Sequence, residues 1–177
     1  MKFTIVGAGA IGGYLGAKLS LAGEQVTFIA RNRNLAAINA NGFRLIGEDG
    51  REEHAANVRA VQDMADAGPQ DAVLVTLKAH QLRDVLPDLR ALFGPQTLVV
   101  TMLNGVPWWY FHKLAGPYEG RPVTSVDPDG AIAAAIEPER IIGSVVYPAS
   151  ELVAPGVVRV VEGNRFYDNS VGVYFMY

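Results

Sequence analysis

Short apolar runs recur along the N-terminal part of the chain at residues 3–6, 25–30, 72–77 and 98–102. Each is continuous rather than alternating. That pattern suits strands buried on both faces of a parallel sheet. Between them lie stretches with helical patterning: residues 11–22, 35–40, 81–92 and 107–114, with Gly23 placed to end the first. Alternating strands and helices of this kind predict a doubly wound α/β fold.

The pattern changes after Gly116. Residues 131–136 are apolar, and residues 141–147 and 156–161 read as two β-strands separated by turn-forming residues 148–155. These strands are expected to extend the sheet antiparallel. Tyr167-Asp168-Asn169-Ser170 reads as a turn, and residues 171–177 are strongly apolar and aromatic. The expected organisation is a nucleotide-binding domain over residues 1–166 and an atypical apolar tail over 167–177. The tail is expected to pack on the sheet or on a partner, unless the chain is a fragment.

Composition narrows the picture. The chain has 177 residues, half of them hydrophobic, and a formal net charge of -3. That length fits one domain with a sizeable core. The charge gives no basic field for nucleic acid. Absence of cysteine excludes disulfides and thiolate chemistry. No apolar run is long enough to span a membrane, and the first strand is too short to be a signal peptide. The expectation is a soluble, cytoplasmic protein.

The most informative segment is Gly7-Ala8-Gly9-Ala10-Ile11-Gly12, between the first run and the first helix. In a strand–turn–helix context this is the dinucleotide-binding pattern of a Rossmann-like fold. Gly7 permits the turn, Gly9 lets a pyrophosphate approach the backbone, and Gly12 allows close helix packing. The helix start, through Ala10 and Ile11, offers unpaired N–H groups to phosphate. The end of the second run then sets the cofactor. NAD sites usually place an acidic residue there, whereas this chain has Ala30, then Arg31 and Arg33. A carboxylate would repel a 2′-phosphate, and an arginine fork pairs with it, which predicts NADP.

Two further residues end apolar runs at the ligand edge. Lys78 could hold a cofactor phosphate, and Asn104 could offer a donor and an acceptor to a ribose hydroxyl or substrate oxygen. His54, His80 and His112 have no metal-ligand spacing, and no metal site is expected. Asp127 and Asp129 flank Pro128 in an expected turn. The aromatic run Trp108-Trp109-Tyr110-Phe111 cannot all face one core and could line a substrate cleft or meet another surface.

Taken together, Gly7-Ala8-Gly9-Ala10-Ile11-Gly12-Gly13, Ala30-Arg31, Thr76-Leu77-Lys78-Ala79, Gln81 and Leu103-Asn104-Gly105-Val106 resemble the ketopantoate reductases (2-dehydropantoate 2-reductases) in order and spacing. Ile141-Ile142-Gly143-Ser144-Val145-Val146-Tyr147 and Ala154-Pro155-Gly156-Val157-Val158 extend the resemblance to about Phe166. It implies NADPH-dependent reduction of 2-dehydropantoate, or a related 2-keto acid, to pantoate on the route to coenzyme A. By the same resemblance Gly7, Gly9 and Gly12 cradle the pyrophosphate, Arg31 takes the 2′-phosphate with Lys78 assisting, and Asn104 lies by the nicotinamide ribose and substrate. The family's general-acid lysine belongs to a helical C-terminal domain with no counterpart here. The chain is therefore expected to be the cofactor-binding part, truncated or naturally short, with its catalytic acid unassigned. The aromatic run departs from the family's pattern. Two readings from other classes stand beside this one: a dinucleotide-sensing module without catalysis, and a homo-oligomer associating through its aromatic run and tail.

Overall fold

The computed structural model describes residues 1–162 and 173–176. Its first unit is β1 (Lys2–Val6), α1 (Ala10–Leu21) and β2 (Gln25–Ile29), followed by α2 (Asn32–Asn41). A hairpin, β3 (Phe43–Ile46) and β4 (Glu52–Ala55), precedes β5 (Val58–Val61) and the short α3 (Met64–Ala67). Then come β6 (Gln70–Val75), α4 (Leu82–Leu89), β7 (Phe93–Thr101), α5 (Ala131–Ala135) and β8 (Ile141–Val146). A second hairpin, β9 (Ala149–Ala154) and β10 (Val157–Glu162), and a last strand β11 (Val173–Met176) complete the elements.

The strands form two sheets. The larger has the order β11-β8-β7-β6-β1-β2-β5, and all its neighbours pair in parallel except β11 with β8. The smaller runs β4-β3-β10-β9 and packs against α1. The fold is the doubly wound, mostly parallel α/β architecture that the alternating pattern predicts.

Strand alternation builds the core. In β6, Ala72 and Leu74 face one side with Ile5, Phe28, Tyr14 and Leu15, while Val73 and Val75 face the other with Leu82, Leu89, Trp108 and Ile132. Both faces are covered, which is why these strands read as unbroken apolar runs. In α4 the buried residues Leu82, Val85 and Leu89 fall on one helical stripe.

Several expectations are corrected. Residues 141–147 do not join antiparallel: β8 pairs parallel with β7, Val99 opposite Ile141. The long connection through α5 gives the chain room to return in the same direction, as parallel pairing requires. The strand near 156–161 does not enter the main sheet, because β10 pairs parallel with β3 and antiparallel with β9 in the smaller one. Residues 148–155 are mostly strand β9, and the reversal is confined to Pro155-Gly156, where Gly156 has φ +71°. Residues 107–114 form no helix. Their bonds close successive four-residue turns, such as Tyr110 N–H to Pro107 O, and Lys113 sits at φ +54°. The helix expected over 81–92 is α4 flanked by tight turns at 79–81 and 90–92. Pro87 lacks the N–H that would continue the ladder, and α4 ends two residues later. The turn expected at 167–170 lies outside the described residues.

Candidate functional site

β1, β2, β6 and β7 run parallel, so their carboxyl ends share one edge of the sheet. From β1 the chain winds outward to β2 and β5, then returns to β6 and winds the other way to β7 and β8. The reversal lies between β1 and β6, the place where such sheets open a ligand crevice.

The glycine turn occupies that crevice. Gly7 adopts φ +109°, and Gly9 is the N-cap of α1 with no side chain capping the helix. The first helical bond runs from Gly13 N–H to Gly9 O at 2.8 Å. The N–H groups of Ala10, Ile11 and Gly12 are the helix's unfilled first-turn donors. A Cβ on Gly9 would meet nothing within 4 Å, so the surface above the turn is open. A Cβ on Gly12 would collide with the Gly7 carbonyl and Thr76 Oγ1, so α1 lies directly against the turn.

Two residues that sequence reasoning did not single out hold this turn. Thr76 Oγ1 donates to Gly7 O at 2.7 Å, and Thr76 N–H to Val6 O at 3.0 Å. Asn34 Nδ2 donates to Ala8 O, and its Oδ1 accepts from Gly156 N–H at 2.7 Å. A hydroxyl residue interrupting the apolar run 72–77 near its end was the available signal for Thr76. Asn34 carried none, because its partners are distant in sequence.

Ala30 is buried, and its N–H bonds Val61 O at 2.9 Å. Arg31 follows as the exposed N-cap residue of α2, whose first turn holds no acidic residue. The Arg31 and Arg33 guanidinium groups have no hydrogen-bond or ion-pair partner among the described residues. Lys78 is exposed beyond β6, its ammonium equally unpaired among the described residues, while its backbone N–H is held by Gln81 Oε1 at 3.1 Å.

Asn104 lies at the same edge, but its amide is engaged. Nδ2 donates to Val146 O at 3.0 Å and Oδ1 accepts from Val146 N–H at 2.9 Å. Asn104 thus ties the loop after β7 to the end of β8, leaving one N–H and one lone pair free. The loop itself runs from Met102 to Gly130. Trp108 anchors it in the core, Phe111 stacks on Tyr118, and the Arg121 guanidinium lies 5.1 Å from the Tyr118 ring centre.

The remaining sequence candidates are dispersed. His54 Nε2 lies 2.6 Å from Asn41 O, and His112 lies 3.6 Å from Glu139. Asp127 and Asp129 form the expected turn. Buried Asp127 accepts from Ile132 N–H at 3.1 Å and Ala133 N–H at 3.0 Å, capping α5. Asp129 is bonded to Arg83, and that bond holds its carboxyl below the usual carboxylate range.

Residues 3–168 match the ketopantoate reductase PanE/ApbA family. A 2-dehydropantoate 2-reductase of Mesorhizobium japonicum is 57% identical over 167 residues, 94% of this chain and 51% of that protein. A crystal structure described as a candidate ketopantoate reductase from Ralstonia solanacearum superposes with a TM-score of 0.83 at 45% identity, covering 92% of this chain and 50% of that one. A 2-dehydropantoate 2-reductase structure from Geobacter metallireducens gives 0.71 at 30% identity, covering 90% and 46%. The chain spans about half the length of these relatives.

Proposed function

The chain belongs to the ketopantoate reductase family, and from that premise we propose that it is the NADPH-binding part of an enzyme reducing 2-dehydropantoate, or a related 2-keto acid, to the 2-hydroxy acid. The observation that carries this reading is the open surface over Gly9 at the unfilled N-terminus of α1, placed where the strand order reverses. The donors present suit a dinucleotide. First-turn N–H groups of Ala10, Ile11 and Gly12 and the helix dipole bind the pyrophosphate. Arg31 beside uncharged Ala30 takes the adenosine 2′-phosphate, and Lys78 adds charge on the adenosine side. Free Arg31 and Lys78 head groups support this assignment, since neither must break an existing bond to receive a phosphate.

When bound, NADPH supplies the hydride for the carbonyl carbon. Asn104 holds the β7 loop against β8 and offers its remaining N–H toward the nicotinamide ribose or substrate oxygen. The proton that reaches the carbonyl oxygen is assigned to no residue of this chain. The keto acid is the small-molecule partner. Among the described residues no helix is long and apolar enough to cross a membrane.

Gly9→Ala tests the reading. The added methyl enters open space at φ -84°, so the only cost is that alanine caps α1 less well than glycine, and stability should fall by no more than about 1 kcal/mol. NADPH affinity, measured by calorimetric titration, should fall by roughly tenfold or more because the methyl occupies the pyrophosphate's place. Unchanged affinity would remove the glycine turn from the binding site.

A further inference from the structure

A glycine-rich turn attracts an anion through its N–H groups, yet each of its peptides also carries a carbonyl that repels one. In this protein those carbonyls are engaged within the chain. Val6 O accepts from Thr76 N–H at 3.0 Å, and Gly7 O accepts from Thr76 Oγ1 at 2.7 Å. Ala8 O accepts from Asn34 Nδ2, and Gly9 O from Gly13 N–H at 2.8 Å. The first and last are backbone bonds, made by the strand ladder and the helix. The middle two depend on side chains. They fall on the two peptides that adjoin Gly7 and Gly9, where the backbone is freest to turn over. A planar trans peptide points its N–H opposite its C=O. Holding Gly7 O and Ala8 O therefore fixes the directions of Ala8 N–H and Gly9 N–H as well.

The Asn34 amide has one orientation that satisfies both its neighbours. Gly156 N–H, at the reversal between β9 and β10, is a donor and faces Oδ1 at 2.7 Å. Ala8 O is an acceptor and faces Nδ2. Turning the amide over would set like against like at both ends. Asn34 also stands in the first turn of α2, three residues beyond Arg31. One short stretch of chain thus carries both the arginine assigned to the 2′-phosphate and the amide that grips the glycine turn.

We propose that Asn34 and Thr76 are positioning residues for the cofactor: by holding Ala8 O and Gly7 O, they keep the turn presenting donors rather than acceptors to the pyrophosphate. The proposal rests on the reading of the glycine turn as the dinucleotide site. Neither side chain needs to touch the cofactor. Without either bond, a peptide beside a glycine can turn over and set its carbonyl oxygen against a phosphate.

Four chains test this: the wild type, Asn34→Ala, Thr76→Val and Asn39→Ala. Thr76→Val keeps the side chain's shape and removes its hydroxyl. Asn39→Ala is the control. Asn39 lies on the same helix, and its amide also makes two backbone bonds, to Ala60 O and from Ala60 N–H, both at 2.9 Å. Those bonds tie α2 to β5 and not to the turn. NADPH affinity is measured by calorimetric titration. Affinity for adenosine 2′-monophosphate, which has the 2′-phosphate but no pyrophosphate, is measured by NMR titration. Asn34→Ala and Thr76→Val should each weaken NADPH binding by about tenfold or more, while their affinity for the monophosphate stays within roughly twofold of wild type. Asn39→Ala should bind both ligands as the wild type does. Wild-type NADPH affinity in Asn34→Ala or Thr76→Val overturns the proposal. So does a parallel loss of both ligands, or an Asn39→Ala chain that weakens NADPH as much as Asn34→Ala, because the fold rather than the turn is then at fault. A wild type that binds no NADPH removes the cofactor reading and the positioning role with it. A wild type that binds NADPH, with variants that bind it equally well, removes the positioning role alone.

Discussion

Gly9 and Gly12 stand three residues apart in one motif and fail in opposite ways when given a side chain. Gly9 faces open space, whereas Gly12 is pressed against the Gly7 carbonyl, Thr76 Oγ1 and, at 2.9 Å, Ile5 Cγ2. Backbone cannot yield as a flexible side chain can. Gly12→Ala should therefore cost at least the upper end of the roughly 1–3 kcal/mol typical of overpacking, read as a drop in chemical-denaturation midpoint. A Gly12→Ala protein of unchanged stability would mean that α1 does not pack on the turn as described. Asp129 gives a second prediction at this scale. Its bond to Arg83 lowers the folded-state carboxyl pKa below the ordinary value. A depressed carboxyl pKa stabilises the fold above the unfolded-state value, and that contribution disappears as pH falls through the folded one. NMR titration should place the Asp129 midpoint below that of a free aspartate, and Arg83→Met should raise it toward the ordinary range, the bond from Ala131 N–H remaining. The positions of Gly7, Arg31 and Lys78 at the strand ends were legible because the signals that place them are local. The place of Asn104 at the sheet edge was legible but its bonding was not, since Val146 is distant in sequence.

Elements were legible in proportion to how completely they are buried. β1, β2, β6 and β7 stand out because both faces are covered and each reads as an apolar run. β4, with Glu52, Glu53 and His54 exposed, shows no such run, because it is an edge strand of the smaller sheet. β7 begins earlier than its apolar run because Thr97 satisfies the backbone there. Its hydroxyl donates to Gln70 O at 2.5 Å and accepts from Gly94 N–H at 2.7 Å, joining β7 to β6. Thr97 is buried, so Thr97→Val strands a carbonyl and an N–H without partners. The expected cost is about 1–3 kcal/mol by denaturant titration, with cofactor affinity unchanged because the change lies at the far end of the strand. The aromatic stretch at 107–114 misled for a related reason. Its apolar residues are spent on different surfaces, Trp108 in the core and Tyr110 half exposed, so no single helical stripe forms.

At the scale of the molecule, the order of strands decides function more than any one strand does. Reversal of direction between β1 and β6 brings Gly7, Thr76, Arg31, Lys78 and Asn104 to one edge from four separate segments. The alternation of strands and helices foretold that edge, because parallel strands must all end on the same side. The return of β8 in parallel and the capture of β10 by the smaller sheet could not be foretold. Both depend on long connections whose direction leaves no local pattern. The smaller sheet packs on α1 and braces the glycine turn from behind. Asn34, bonded to Ala8 O and Gly156 N–H, links the two sheets through the same turn. The smaller sheet thus packs on α1 while its N-terminus stays open, as the proposed binding of an anionic cofactor there requires.

Calorimetric titration of the wild-type and Arg31→Ala chains with NADPH and NADH tests the proposed binding of NADP at this edge through Arg31. The wild type should prefer NADPH by roughly tenfold or more, the worth of a charged hydrogen-bonded pair. Arg31→Ala should lose that preference while its NADH affinity stays close to the wild-type value. Equal affinity of the wild type for the two cofactors, or an Arg31→Ala chain that still prefers NADPH as strongly, would contradict the account.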